Sequence, residues 1–207
     1  MLGSALLSDA LDELGRREQC LRAGLAPLVA GVAISGRALP LTLVRPEAIP
    51  AVHYAGLLRG MDAIGPGDVV VLSGAAAAGG VALWGELLST MAGARGAAGA
   101  VCDGGVRDVA RIRALGFPVF ARETVPLDIH GRLEVVAHDA PIVVAGVAVA
   151  PGDLVVADDD GVVVVPAALE AAAVAAATAK DAAEDGLRED VRRGMLPSEA
   201  FARHRVL

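Results

Sequence analysis

Leu6, Leu7, Ala10, Leu11 and Leu14 recur at helical spacing. The pattern predicts an amphipathic helix over 4–14, with Ser4 or Ser8 near its start and Gly15 at its end. Residues 31–45 (GVAISGRALPLTLVR) are β-rich and interrupted by Gly36 and Pro40, which predicts two strands or one bulged strand. Residues 47–59 are expected to be helical. Pro66-Gly67-Asp68 reads as a turn and 69–72 as a buried strand. Residues 74–84 read as a loop of small residues, 85–95 as a helix, 98–102 as a strand and 103–106 (DGGV) as a turn. A helix over 107–115 follows, capped by Gly116, and 118–121 opens another strand. This β-α-β-α-β order implies parallel strands joined by right-handed crossovers.

From 133 to 165 the chain is strand and turn: apolar runs at 142–149, 154–157 and 162–165 are separated by PGD and DDDG. PGDVVVLSG at 66–74 echoes PGDLVVADDDG at 151–161, but two copies do not make a solenoid. Residues 167–193 are alanine-rich and then strongly charged, which predicts a long helix leaving the core with a polar end. The expected organisation is an α/β domain over 1–166 and a helical tail over 167–207, packed on the core or on a neighbouring subunit.

Composition narrows the function classes. The chain has 207 residues, 55% hydrophobic, enough for a sizeable core. Only 2% are aromatic, which argues against stacking platforms for single-stranded nucleic acid and against an aromatic sugar cleft. A net charge of -7 gives the surface no general attraction for nucleic acid or an anionic membrane. The N-terminus lacks early basic residues and does not read as a signal peptide. The most apolar stretch, 161–179, is interrupted by Pro166 and Glu170, so no membrane span is expected. Cys20 and Cys102 are too few for a disulfide framework, and a reducing, cytoplasmic setting is expected. Lys180 is the only lysine, so any Schiff-base chemistry must use it.

Two segments carry candidate chemistry. Gly85-Glu86-Leu87-Leu88 opens a helix, and first-turn amides without internal partners suit a carboxylate or phosphate. The plainer reading makes Glu86 a favourable first-turn acid. Asp103-Gly104-Gly105-Val106-Arg107-Asp108 opens the next helix. Both loops should emerge at the carboxyl edge of a parallel sheet and face one crevice. The Arg107 guanidinium can hold a carboxylate, and the Asp108 carboxylate can hold a hard divalent cation. The plainer reading makes Asp108 a helix cap and Arg107 half of a surface ion pair. A capping box would want Glu or Gln at 111, where Arg111 stands. Asp158, Asp159 and Asp160 read as a hairpin turn rather than a calcium loop, and His53, His130, His138 and His204 show no metal-ligand spacing. Cys102 reads as a buried structural thiol. No phosphate-binding or dinucleotide-binding glycine motif is present.

The run WGELLSTMAGARGAAGAVCDGGVRDVARIRALGFPVFAR, residues 84–122, resembles the 4-hydroxy-4-methyl-2-oxoglutarate aldolase family, which includes the regulator of ribonuclease activity A (RraA). The likeness extends through both PGD segments, over roughly 5–195. It implies a swivelling β/β/α sandwich with a C-terminal helical extension, assembled as a trimer or dimer of trimers. It also implies Mg²⁺ or Mn²⁺, with sites at subunit boundaries. Asp108 would ligate the metal directly, and Arg107 would contact the pyruvate part of the substrate. The amides of Gly85, Glu86, Leu87 and Leu88 would take the pyruvate carboxylate. Glu86, and Glu184 from a neighbouring C-terminal helix, would reach the metal through water. The expected activity is cleavage of 4-hydroxy-2-oxo acids to pyruvate, with oxaloacetate decarboxylation beside it. The alternative is a non-catalytic regulator that binds ribonuclease E. A menaquinone-precursor methyltransferase, a third label in this superfamily, finds no cofactor motif here. Catalytic members usually carry an acid three residues after the metal aspartate; here that position is Arg111.

Overall fold

The computed structural model describes residues 1–21, 24–49, 51–74 and 79–206. The predicted parallel unit is present. Strands β2 (Ile34–Val44), β3 (Asp68–Ser73), β5 (Gly99–Val106) and β6 (Val119–Thr124) pair in parallel in the order β2-β3-β5-β6. Short β4 (Ala82–Trp84) also runs parallel to β5. Antiparallel partners extend the sheet. β1 (Ala26–Pro27) pairs with β6, and β7 (Glu134–His138) and β10 (Leu154–Asp158) pair with β2; β11 (Gly161–Val165) follows β10. β8 (Ile142–Val144) and β9 (Val147–Val149) form a separate hairpin.

Period-2 alternation divides the core. On β3, Val70 and Leu72 face α2 (Ala55–Asp62), α3 (Glu86–Ala94) and α4 (Val109–Leu115), through Leu57, Met61, Ala92 and Ile112. Val69 and Val71 face the opposite way, against the β8–β9 hairpin and the inner sides of β10 and β11. The outer sides of β10 and β11 are covered by α1 (Ser4–Glu13) and α5 (Glu170–Arg192), through Leu7, Leu11, Ala173 and Ala177. The layering is the expected β/β/α sandwich, its sheet curled into a nearly closed barrel. A short helix, α6 (Pro197–His204), ends the described chain.

Four local expectations need correction. The helix expected over 47–59 begins only at Ala55, because Tyr54 holds a left-handed conformation (φ 61°) that the helix cannot pass through. Residues 31–45, by contrast, hold one of the two expected arrangements, a single bulged strand running through Gly36 and Pro40, with its register shift at Thr42/Leu43 where it pairs with β7. The segment 103–106 is not a turn but the buried second half of β5, paired with β4 and β6. Its glycines serve close packing: a β-carbon on Gly104 would lie 2.7 Å from Leu83, and one on Gly105 2.4 Å from Val125. Of the small-residue loop over 74–84, residues 82–84 are strand β4, and 75–78 lie outside the described residues. The C-terminal helix does not leave the core along its first turns, where Ala173 and Ala177 are fully buried. Among the described residues, no helix is long and apolar enough to cross a membrane.

Candidate active site

The site lies where β4 and β5 hand over to their helices. Gly85 is the N-cap of α3, in extended conformation (φ -160°), and supplies no side chain to the helix end. The first-turn amides of Glu86, Leu87 and Leu88 stand at the positive end of α3 without a capping side chain. The amide of Arg107 donates to the Trp84 carbonyl at 3.0 Å and ties the two strand ends together. Beneath them, fully buried Trp84 donates from Nε1 to Ser89 Oγ at 2.8 Å, and Ser89 Oγ donates to the Gly85 carbonyl at 3.1 Å. The turn from which the site projects is therefore rigid.

Asp108 precedes α4 with φ 57° and ψ 32°, a left-handed conformation that costs a non-glycine residue free energy. It makes no side-chain cap bond, so the capping explanation for this aspartate fails. Its carboxylate turns instead toward Gly85 and Arg107: Oδ2 lies 3.6 Å from Arg107 Nε. A β-carbon on Gly85 would stand 3.1 Å from Asp108 Oδ2 and 3.2 Å from Arg107 Cγ. The glycine thus leaves the space in which both side chains rest over the start of α3.

Two residues absent from the sequence reading complete the polar end. Arg107 Nη1 lies 3.6 Å from Asp128 Oδ1, and the Tyr54 hydroxyl donates to Asp128 Oδ2 at 2.6 Å. Burial pushes the Tyr54 phenol above its ordinary pKa; Asp128 adds to this and Arg107 opposes it, so the hydroxyl remains a protonated donor. Neither residue belongs to a local motif. Tyr54 stands out in the sequence only as the sole tyrosine, and Asp128 carries no comparable signal.

These groups line one cavity of about 220 Å³, which also includes Leu57, Leu58, Leu87, Leu88, Met91 and Ile129. Gly85, Leu87, Leu88, Arg107 and Asp108, all singled out from sequence, meet in it. Glu86 is half-buried beside them, outside the lining, and its Oε1 accepts a bond from the Thr90 hydroxyl at 3.0 Å. Glu184 sits on α5, paired with Arg188, and is not in the lining of its own chain's cavity. Arg111 is exposed on α4, outside the lining.

The remaining candidates have structural roles. Asp103 accepts bonds from Arg122 and from the Ala145 amide. Asp158, at the β10–β11 turn, accepts the Ser4 amide and hydroxyl at 2.7 and 2.6 Å, and Asp159 accepts the Gly31 amide at 2.9 Å. Burial, reinforced by Asp103, pushes the Cys102 thiol far above its usual value, which leaves it inert. His53 and His130, distant in sequence, meet edge to face at 4.1 Å between ring centroids. The cleft beside them holds about 20 Å³, room for water but not for a substrate.

Residues 4–164 match the RraA-like family, described as aldolase/RraA. A protein of Halalkalibacterium halodurans provisionally named 4-hydroxy-4-methyl-2-oxoglutarate aldolase is 33% identical over 185 residues, covering 88% of this chain and 81% of its own. A solved structure of an uncharacterized protein from Pseudomonas syringae pv. tomato superposes with a TM-score of 0.84 at 32% identity, covering 96% of this chain and 92% of that one. The structure of Streptomyces coelicolor RraAS2, described as an unusual member of the RNase ES inhibitor RraA protein family, superposes with a TM-score of 0.77 at 32% identity. That likeness covers 93% of this chain and 92% of RraAS2.

Proposed function

The chain belongs to the RraA-like family, and from that premise we propose that it is a divalent-metal-dependent lyase that cleaves 4-hydroxy-2-oxo acids to pyruvate. The observation that carries this reading is the approach of Arg107 and Asp108 to Gly85 at the open end of α3. An anion acceptor, a guanidinium and a carboxylate there share one cavity.

The pyruvate carboxylate docks on the amides of residues 85–88, where backbone donors and the helix end favour negative charge. Arg107, steadied between Asp108 and Asp128, faces the 2-oxo group and stabilises the charge that develops there as the enolate forms. The donor set fits Mg²⁺ or Mn²⁺. Such ions take one or two protein carboxylates and complete their shell with water and substrate oxygens, and Asp108, 42% exposed, offers its carboxylate at the cavity. When bound, the cation supplies an electrophile that draws charge away from the breaking C3–C4 bond. The C4 hydroxyl proton passes to a water held by Glu86, or by Glu184 of a second copy in a trimer or dimer of trimers. Oxaloacetate decarboxylation leaves the same enolate and is expected as a second activity. A Schiff base on Lys180 is disfavoured: its ammonium donates to Asp9 at 2.6 Å, which holds its pKa above the ordinary value and keeps the nitrogen protonated.

The test is pyruvate release from 4-hydroxy-4-methyl-2-oxoglutarate and oxaloacetate, followed with lactate dehydrogenase. Activity that EDTA abolishes, Mg²⁺ or Mn²⁺ restores and Asp108→Ala lacks is the expected result. Turnover that ignores EDTA overturns the proposal.

A second reading, a non-catalytic regulator of ribonuclease E, is favoured by the exposed Arg111 where catalytic members usually carry an acid. The likeness to RraAS2 supports it as well. It predicts binding to a ribonuclease E-type enzyme together with no lyase activity on any 2-oxo acid.

A further inference from the structure

Two histidines span the same two segments that the Tyr54–Asp128 bond joins. His53 directly precedes Tyr54, and His130 follows Asp128 by two residues. Their rings meet edge to face at 4.1 Å between centroids, and the His130 ring lies 5.8 Å from that of Tyr54. Each side is a stiff unit. Tyr54 opens α2, where its carbonyl accepts the Leu58 amide at 2.8 Å. Across from it, the Arg132 and Leu133 amides donate to the Ile129 carbonyl at 2.8 and 2.9 Å. Arg132 Nη1 also donates to the carbonyls of Asp128 and His130 at 3.1 and 3.3 Å. A force between the imidazoles therefore acts on the Tyr54–Asp128 bond at 2.6 Å, and through Asp128 on Arg107.

We propose that the His53–His130 pair is a proton-operated catch on this bond, closed near neutrality and released in acid. Histidine changes charge between about pH 5 and 8, inside the range in which an enzyme works. The charged groups around the pair are Glu134, which lines the same cleft on β7, Asp128 and Arg107 beyond Tyr54, and Arg132 at the His130 carbonyl. A first proton on the pair finds Glu134 and leaves one neutral ring to pack against. A second puts two cations on touching rings, and their repulsion is relieved only by parting the segments. Burial and Asp128 hold the Tyr54 phenol above its ordinary pKa, so its proton stays in place while the histidines change charge. The catch itself is a property of the fold. Its effect on turnover rests on the lyase reading, because there it withdraws the support of Arg107.

Tyr54 is the only tyrosine, so labelled tyrosine gives one ring signal that reports the bond. The full chain carrying ¹³C-labelled tyrosine and histidine is titrated by NMR from about pH 7.5 to about pH 5. Pyruvate release with Mg²⁺ is measured over the same range. The expected result is a tyrosine signal that moves with the second step of the histidine pair, and a kcat/KM that falls about tenfold. His130→Phe keeps a ring against His53 without a charge; it should hold the tyrosine signal still and limit the fall to about threefold or less. His53→Phe should do the same from the other side. A tyrosine signal that ignores the histidines, or moves equally in both variants, overturns the catch and leaves the lyase standing. So does a response that appears only where sedimentation shows subunits parting. A signal that follows the pair, with no turnover at any pH, supports the catch and overturns the lyase reading.

Discussion

The Tyr54 hydroxyl reaches Asp128 Oδ2 at 2.6 Å, and the other oxygen of that carboxylate lies 3.6 Å from Arg107 Nη1. The guanidinium is thereby fixed from behind by a group with no sequence link to it. Tyr54→Phe should lower kcat/KM several-fold while Tm falls by a few degrees at most, because this exposed hydrogen bond contributes about 1 kcal/mol to stability. Asp128→Asn, which also removes a charge facing Arg107, should cost more than Tyr54→Phe. Steady-state kinetics beside thermal melts test the order; equal activity in all three proteins would show that Arg107 needs no support.

Gly85→Ala should impair function more than folding. The extended backbone at Gly85 accepts alanine without strain, but the added methyl falls 3.1 Å from Asp108 Oδ2 and 3.2 Å from Arg107 Cγ. Both side chains must shift by a few tenths of an ångström. Activity should fall about tenfold or more while Tm moves by only a few degrees. Calorimetric titration with Mn²⁺ should show weakened binding.

Asp108→Gly should be inactive yet more stable than the parent. The left-handed backbone at Asp108 costs on the order of 1 kcal/mol or more, and glycine removes that cost. The gain is partly offset by the greater freedom of glycine in the unfolded chain. Urea denaturation measures it; a destabilised Asp108→Gly would show that the carboxylate holds the fold rather than a ligand.

The junction of α1 with the β10–β11 turn should weaken in acid. Burial by itself would raise the pKa of Asp158, but bonds from the Ser4 hydroxyl and amide, with those of Asp160 and Gly161, outweigh it and hold the group below its ordinary value of 3.8. The unfolded chain then binds the proton more readily. The contact's stability is complete above that ordinary value and is lost as pH falls through the lower folded one. Ser4→Ala should cost about 1 kcal/mol near neutrality and less near pH 3 in urea titrations.

Local pattern carried much of this molecule. Short continuous apolar runs mark β3, β10 and β11, and helical spacing places α1 within one residue of its expected end. The parallel order then brings 85–88 and 107–108 to one sheet edge, as strand-to-helix loops must be in such a sheet. At 103–106 the reading went wrong because of glycine. Gly104 and Gly105 look like turn residues, yet Leu83 and Val125 fill the space their side chains would need. Glycine marks both a turn and a close contact, and the neighbours that distinguish them come from elsewhere in the chain.

The amino-acid order by itself determined the parallel β-α-β-α-β unit, the long C-terminal helix and the pairing of a helix start with an adjacent arginine and aspartate, because each depends on residues close along the backbone; the sandwich came from the family resemblance. Only the tertiary structure decided that Asp108 spends backbone strain on facing Gly85 instead of capping α4, and that Tyr54 and Asp128 steady Arg107. It alone also brought Leu57, Leu58, Leu87 and Leu88 into the same cavity. Those facts arise from packing between segments far apart in the chain, which no local periodicity encodes.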